Sequence, residues 1–268
     1  MEASITLKKV GKLIGDKTIL AGLSFGVERG SLVAIVGMND SGKSILLKLL
    51  SGYENPNYGQ VFIHGLDMHK RRNETRKIIG YVPHENDLDP WLTLDQNIRF
   101  NANLFSVSEK KIKQRLNDYA SALNIKAYLN EYALKVSNGI QKKAMLLRGL
   151  IHNPEILILD EPTSNLDPIG KEEVFSVTRS LNQEEGLTVI IAEHEVEVIA
   201  EFADKLILLD EGKINEIGTP QEIFPKFVEH QEDVGVRVPQ VTELASKKYE
   251  LFESTPVTLD EAVRMYKG

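Results

Sequence analysis

The sequence predicts an α/β fold built on a mainly parallel sheet, on three observations. A glycine-rich turn, Gly37-Met38-Asn39-Asp40-Ser41-Gly42-Lys43-Ser44, separates an unbroken apolar run at 32–36 from an apolar helical stretch at 45–50. Beyond Ile156, short aliphatic runs alternate with helical patterns, the signature of parallel strands joined by crossover helices. Between these two regions, 92–150 contains no strand-like run, which predicts a helical lobe inserted into the α/β core.

The elements follow in order. Apolar segments at 5–10 and 18–27, broken at Gly15-Asp16 and Glu28-Arg29-Gly30, read as antiparallel strands joined by turns. The run 32–36 leads into the glycine-rich turn and its helix, for which Gly52 is the expected C-cap. Asn55-Pro56-Asn57-Tyr58-Gly59 makes a turn into a strand at 61–63, and 78–82 is a buried strand stopped by Pro83. In the lobe, Ile112, Leu116, Tyr119, Ala120 and Leu123 mark one face of a helix behind a Ser108 cap. The core resumes with a strand at 156–159, a helix around 172–181, a strand at 188–192, a helix at 195–203 and a hairpin at 206–217 turning at Asp210-Glu211-Gly212. About fifty residues remain after Thr219-Pro220, too few for a core of their own, and these read as helices docked on the main body or on a partner.

Composition excludes several classes. The 268 residues include no cysteine, so disulfides, thiolate metal sites and a cysteine nucleophile are ruled out. Net charge is -7 and the basic residues are scattered apart from Lys70-Arg71-Arg72, so no nucleic-acid partner is expected. No apolar run approaches the ~20 residues that span a bilayer. The start, Met1-Glu2-Ala3-Ser4, has neither the basic region nor the apolar core of a signal peptide, so any work at a membrane is expected from its side.

The chemistry begins at residues 37–44. Glycines let the backbone N–H groups converge on phosphate oxygens, and the following helix adds its positive end. Lys43 then reaches the terminal phosphates and Ser44 ligates Mg²⁺, which makes this a nucleotide site. The strand ending in Asp160-Glu161 supplies the other half. Asp160 is placed to hold Mg²⁺ through water, and Glu161 to polarise an attacking water. With one phosphate loop and no internal repeat, one nucleotide per chain is expected.

Together these motifs resemble the ATPase subunits of ABC transporters. Val136-Ser137-Asn138-Gly139-Ile140-Gln141-Lys142-Lys143 occupies the place of that family's signature, twenty-odd residues ahead of Leu159-Asp160-Glu161-Pro162-Thr163. Ser164-Asn165-Leu166-Asp167 matches its D-loop and His194 its switch histidine. The resemblance implies a P-loop NTPase (RecA-like) ABC ATPase core with an N-terminal antiparallel β subdomain. That ATPase domain covers 1–220, with its helical lobe at about 90–150, and a C-terminal helical extension, expected as a dimer contact, covers 221–268. It also implies ATP and Mg²⁺ as ligands and head-to-tail dimers in which Ser137, Asn138 and Gly139 present a helix N-terminus to the γ-phosphate held by the opposite subunit. Ser137 would cap that helix, whose inward face runs Ile140, Ala144, Leu147 and Ile151, while His194 would contact the γ-phosphate and hold Glu161 and the water in place.

Three departures from the pattern sharpen the expectation. Asn138 and Ile140 stand where the family has a second small residue and a glutamine, so a site completed by this signature should be weak. His84 replaces the glutamine that touches Mg²⁺ or the lytic water; at the metal it would charge in mild acid and repel the ion, so His84→Gln should alter the pH profile of hydrolysis. The aromatic that stacks on adenine is missing, with Leu13 or Ile14 in its neighbourhood, and base selectivity should be loose. An asymmetric pair follows, with this chain's phosphate loop facing a partner's better signature.

The tail segments Gly235-Val236-Arg237-Val238-Pro239-Gln240-Val241-Thr242-Glu243-Leu244-Ala245 and Pro256-Val257-Thr258-Leu259-Asp260-Glu261-Ala262 resemble the extension of energy-coupling factor transporter ATPases. This implies a second ATPase subunit in a hetero- or homodimer, a transmembrane coupling protein, a substrate-binding membrane subunit for a vitamin or metal ion, and a peripheral place on the cytoplasmic face of the membrane. Membrane helices would lodge between Asp87 and the helical lobe, with Asp87, Asp89 and Asp95 offered to basic residues there. The segment 83–94 is closer in wording to two-component exporters, the first alternative, and a soluble low-turnover nucleotide-binding regulator is the second.

Overall fold

In the computed structural model, which describes residues 3–229, 231 and 236–266, two sheets meet through a shared core. Gly235 of the tail motif, and Met1 and Glu2, lie outside the described residues. An antiparallel sheet is ordered β2-β1-β4-β5, with β1 (Ala3–Ile14), β2 (Lys17–Glu28), β4 (Tyr58–Ile63) and β5 (Leu66–Asp67). The larger sheet runs β10-β9-β3-β8-β7-β6, from β3 (Leu32–Val36), β6 (Ile79–Val82), β7 (Ile156–Asp160), β8 (Thr188–Ala192), β9 (Lys205–Asp210) and β10 (Lys213–Gly218). All its pairings are parallel except β9 with β10, the expected hairpin.

The alternation of side chains across β3 decides where each layer packs. Val33 and Ile35 face α1 (Lys43–Leu50) and the antiparallel sheet, while Leu32, Ala34 and Val36 face the remaining helices. Strands β7 and β8 divide their aliphatics in the same way, so both faces of the sheet are covered and the strands read as unbroken apolar runs. The single-turn α2 (Arg72–Thr75) precedes β6, and the inserted lobe consists of α3 (Leu94–Leu104), α4 (Glu109–Ala122) and α5 (Asn138–Leu150). A capping box between Thr93 and Gln96 starts α3. The Ser108 side chain makes no capping bond, although Ser108 is the N-cap residue of α4. The C-cap of α1 is Ser51, one position before the expected Gly52, which follows at φ 69°, where a glycine is easily accommodated.

Helix α6 (Pro168–Glu185) is longer than the apolar pattern suggests because Asp167 accepts from Gly170 N at 2.7 Å and Pro168 occupies the first turn. After α7 (Val196–Phe202) and α8 (Pro220–Ile223), the tail carries α9 (Gln240–Lys247) and α10 (Leu259–Met265). It is docked on the main body: Ile223, Phe224, Val236, Val238 and Val257 are buried in the same core as the lobe.

Candidate functional site

The parallel strands deliver their C-terminal ends to one edge of the sheet, where open α/β folds bind ligands. From β3 comes the turn 37–44, from β7 Asp160 and Glu161, from β8 His194, and from β6 His84 by way of Pro83. They surround a cleft of about 800 Å³ lined by Asn39, Asp40, Gly42, Lys43, Ser44, His84, Glu161 and His194, with Ile14, Ile19 and Ile45 forming an apolar flank beside Lys17. Ile14 is thus where the sequence placed the base-neighbouring aliphatic, and Lys17, Ile19 and Ile45 are additions that no motif signalled.

The turn is shaped by its backbone. At Gly37, φ is 155° and a Cβ would stand 2.1 Å from the Leu209 carbonyl oxygen, so no side chain fits. Lys43 is buried and donates to the carbonyls of Gly37 at 2.8 Å and Met38 at 2.7 Å, curling the loop around its ammonium. Burial pulls the Lys43 pKa below the ordinary lysine value, against the pull of the Glu161, Asp160 and Asp40 carboxylates. Ser41 Oγ is buried without a protein partner, as expected of a hydroxyl that faces an anion.

Ser44 Oγ donates to Asp160 Oδ1 at 3.1 Å. Burial raises the Asp160 pKa, and the Ser44 bond works against that shift. A hydroxyl and a carboxylate are the hard oxygen donors Mg²⁺ takes. Among the described residues no cluster of three or more acidic or imidazole groups could hold a metal alone, so an ion here would draw its remaining ligands from phosphate and water.

Glu161 stands at φ 47° with its N–H bonded to the Ala192 carbonyl at 2.9 Å, fixing the end of β7 against β8. Its two oxygens meet two rings: His194 Nε2 at 3.2 Å from Oε1, and His84 Nδ1 at 3.1 Å from Oε2. The sequence placed His84 at the metal or the water; the structure brings it to Glu161. Beside it, Lys142 Nζ donates to the His84 carbonyl at 2.6 Å, and Asn86 Nδ2 donates to Gln141 Oε1 at 2.8 Å. Neither Lys142 nor Gln141 carries a sequence signal, since a charged or amide side chain in a helix ordinarily faces solvent.

Ser137, Asn138 and Gly139 are not among the residues lining this cleft. They form the N-terminus of α5, where Ser137 Oγ accepts from Ile140 N at 3.4 Å, and Ser137 and Asn138 are exposed. A second groove lies between the sheet and the lobe, lined by Tyr81, Asp87, Phe100, Leu104, Arg148 and His152 among others. There the acidic groups are not free as expected: Asp87 pairs with Arg148, Asp95 with Arg99, and Asp89 accepts from the Trp91 N–H at 2.9 Å. Arg148 and Arg99 thus already neutralise Asp87 and Asp95, while Asp89 is engaged by a backbone amide.

The sequence model of the ABC transporter family matches residues 20–164. The chain is 33% identical over 231 residues to the energy-coupling factor transporter ATP-binding protein EcfA2 of Caldanaerobacter subterraneus subsp. tengcongensis, covering 84% of this chain and 80% of that protein. Among solved structures it is similar to cbiO1 from Clostridium perfringens, part of the ABC transporter complex cbiONQ, at 26% identity and a TM-score of 0.73, covering 88% of this chain and 98% of the other. It is also similar to a dimeric ATP-binding cassette in a post-hydrolysis state bound to ADP and phosphate, at 25% identity and a TM-score of 0.75, covering 80% and 98%. With a phosphate-binding turn, paired carboxylate strand end and histidine gathered at one sheet edge, this chain belongs to the ABC transporter ATP-binding family, and is an ATP hydrolase coupled to transport.

Proposed function

We propose that this chain is the energising subunit of a membrane importer of the energy-coupling factor type, closing as a head-to-tail dimer around ATP. The observation that carries this reading is the separation of the two half-sites. Lys43, Ser44, Asp160, Glu161 and His194 converge at the sheet edge, while Ser137, Asn138 and Gly139 face outward from the lobe. One chain therefore offers a phosphate loop without a signature and a signature without a phosphate loop, and two chains satisfy both.

Residues 37–44 bind the triphosphate through backbone N–H groups and Lys43, and Ser44 with Asp160 would hold Mg²⁺. The ion, when bound, neutralises charge on the phosphates. Glu161 orients the attacking water and accepts its proton, and His194 steadies Glu161 beside the γ-phosphate. The partner's Ser137 turn supplies donors to the same phosphate, so hydrolysis reopens the dimer. In this reading the groove at Tyr81, Phe100 and Leu104 receives a helix of a transmembrane coupling protein, with the chain at the cytoplasmic face of the membrane beside a substrate-binding subunit. Phe100 and Leu104 are exposed apolar side chains and support that assignment. Exposed Leu244, Leu259 and Val263 on the tail support a contact between ATPase subunits.

Mg-ATP hydrolysis by the purified chain, with Glu161→Gln as control and light scattering to follow dimerisation, tests this. Turnover that disappears in Glu161→Gln while ATP drives dimerisation is the expected result. Binding without turnover points to an obligate heterodimer whose better signature comes from a second ATPase, and monomers throughout would overturn the reading.

A further inference from the structure

We infer that His84 is a positioning residue for Glu161: together with His194 it clamps the carboxylate between two imidazoles, one ring on each oxygen. This rests on the reading of Glu161 as the group that activates water. The distances are 3.1 Å from His84 Nδ1 to Oε2 and 3.2 Å from His194 Nε2 to Oε1. The His194 contact is an aligned hydrogen bond, whereas His84 approaches Oε2 as a close ion-pair contact; because an ionised carboxylate only accepts, His84 holds Oε2 only by turning Nδ1–H to it, as His194 does with Nε2–H. Each oxygen has two lone pairs, and the clamp uses one on each. A water can still be bound by Glu161 while its carboxylate is held.

Holding it matters because Glu161 sits in the left-handed backbone region at the end of β7, where the strand ladder fixes the main chain but not the side-chain rotamer. A hydrogen bond from the end of β8 and a close imidazole contact from the end of β6 restrict that freedom. Orientation of a reacting group is a large share of what a site contributes to rate.

The clamp also has a mechanical support. Lys142 Nζ reaches the His84 carbonyl at 2.6 Å and the Pro83 carbonyl at 3.3 Å, and Gln141 accepts from Asn86 at 2.8 Å. Both side chains come from α5, the helix whose first turn carries Ser137. The element that presents the signature to a partner thus braces the residue that aims Glu161. The charged and titratable groups around His84 are Glu161 and Asp160 at the end of β7, Lys142 on α5 and His194 after β8.

The use of Nδ1 gives the inference a fingerprint. An asparagine amide nitrogen occupies the position of imidazole Nδ1, whereas a glutamine amide nitrogen reaches the position of Nε2. The ¹⁵N spectrum of the full chain at pH 8, with the His84 ring assigned through His84→Asn, should show the proton on Nδ1, and Glu161→Ala should remove that preference. A proton on Nε2, or a pattern indifferent to Glu161→Ala, would overturn the clamp.

Steady-state hydrolysis supplies a second readout. His84→Ala should lower kcat on the order of tenfold, with the KM for Mg-ATP and the Mg²⁺ half-saturation within about twofold of wild type. His84→Asn should retain kcat within about threefold, and His84→Gln should behave like His84→Ala. A shifted Mg²⁺ requirement, or Gln outperforming Asn, would move His84 to the metal and overturn the inference. If wild type and Glu161→Gln turn over alike, the role of Glu161 fails on its own account, and the ¹⁵N spectrum still decides the clamp.

Discussion

At Gly37 the backbone alone sets the outcome of substitution. Gly37→Ala puts a methyl group into the Leu209 carbonyl at a φ that L residues rarely adopt, so the turn must open. Affinity for a fluorescent ATP analogue should fall at least tenfold, or about 1.4 kcal/mol, in an equilibrium titration. His152 is a different case. It stacks on Phe105 with ring centroids 4.0 Å apart, its Nε2 lies 3.1 Å from the Ile79 carbonyl oxygen, and burial pushes its pKa down to about 4. A histidine whose folded pKa lies below its unfolded value of about 6.5 binds more protons when unfolded, so stability falls as pH drops between those values. The loss should total about 2–3 kcal/mol between pH 7 and 4. Urea melts across that range should show a shallower acid slope in His152→Gln than in wild type.

Helix α5 shows how one element serves two sites. Its N-terminus is exposed and starts with a Ser137 cap, while Gln141, Lys142 and Lys143 of the following turn are buried, bonding back to 133–136, to His84 and to Glu173. The weak part of the helix is its first turn, where Asn138 adds bulk and Ile140 replaces a polar group. Exchanging these for the small residue and glutamine of the family, Asn138→Gly with Ile140→Gln, leaves the Gln141, Lys142 and Lys143 contacts in place and alters only the edge packing of Ile140. It should raise ATP turnover of the chain alone about threefold or more, through better donors at the γ-phosphate. Unchanged turnover in a coupled-enzyme assay would show that the signature does not limit the rate. The helix itself was legible from its Ser137 cap and apolar spacing. Its brace on His84 was not, because the pattern of a helix does not say what its Lys and Gln side chains meet.

The whole molecule is held together by a core shared between lobe, sheet and tail. Phe224 is fully buried next to Ile223, and the Thr219–Glu222 capping box starts the short helix before it. Phe224→Ala should therefore cost about 3–5 kcal/mol and lower Tm by roughly 10 °C in calorimetry. A loss under about 1 kcal/mol would mean that the tail docks on the body only loosely. What the sequence determined by itself was the local chemistry: the strand–turn–helix at 32–50, the acidic end at Asp160-Glu161, the alternation of strands and helices, and the tail's similarity to a transporter subfamily. Those signals are local because a phosphate turn, a cap or a strand is specified by neighbouring residues. Only the tertiary structure decided that His84 meets Glu161 and that Asp87 is already paired with Arg148. Both depend on residues far apart in sequence and brought together by the tertiary fold, which no local pattern encodes.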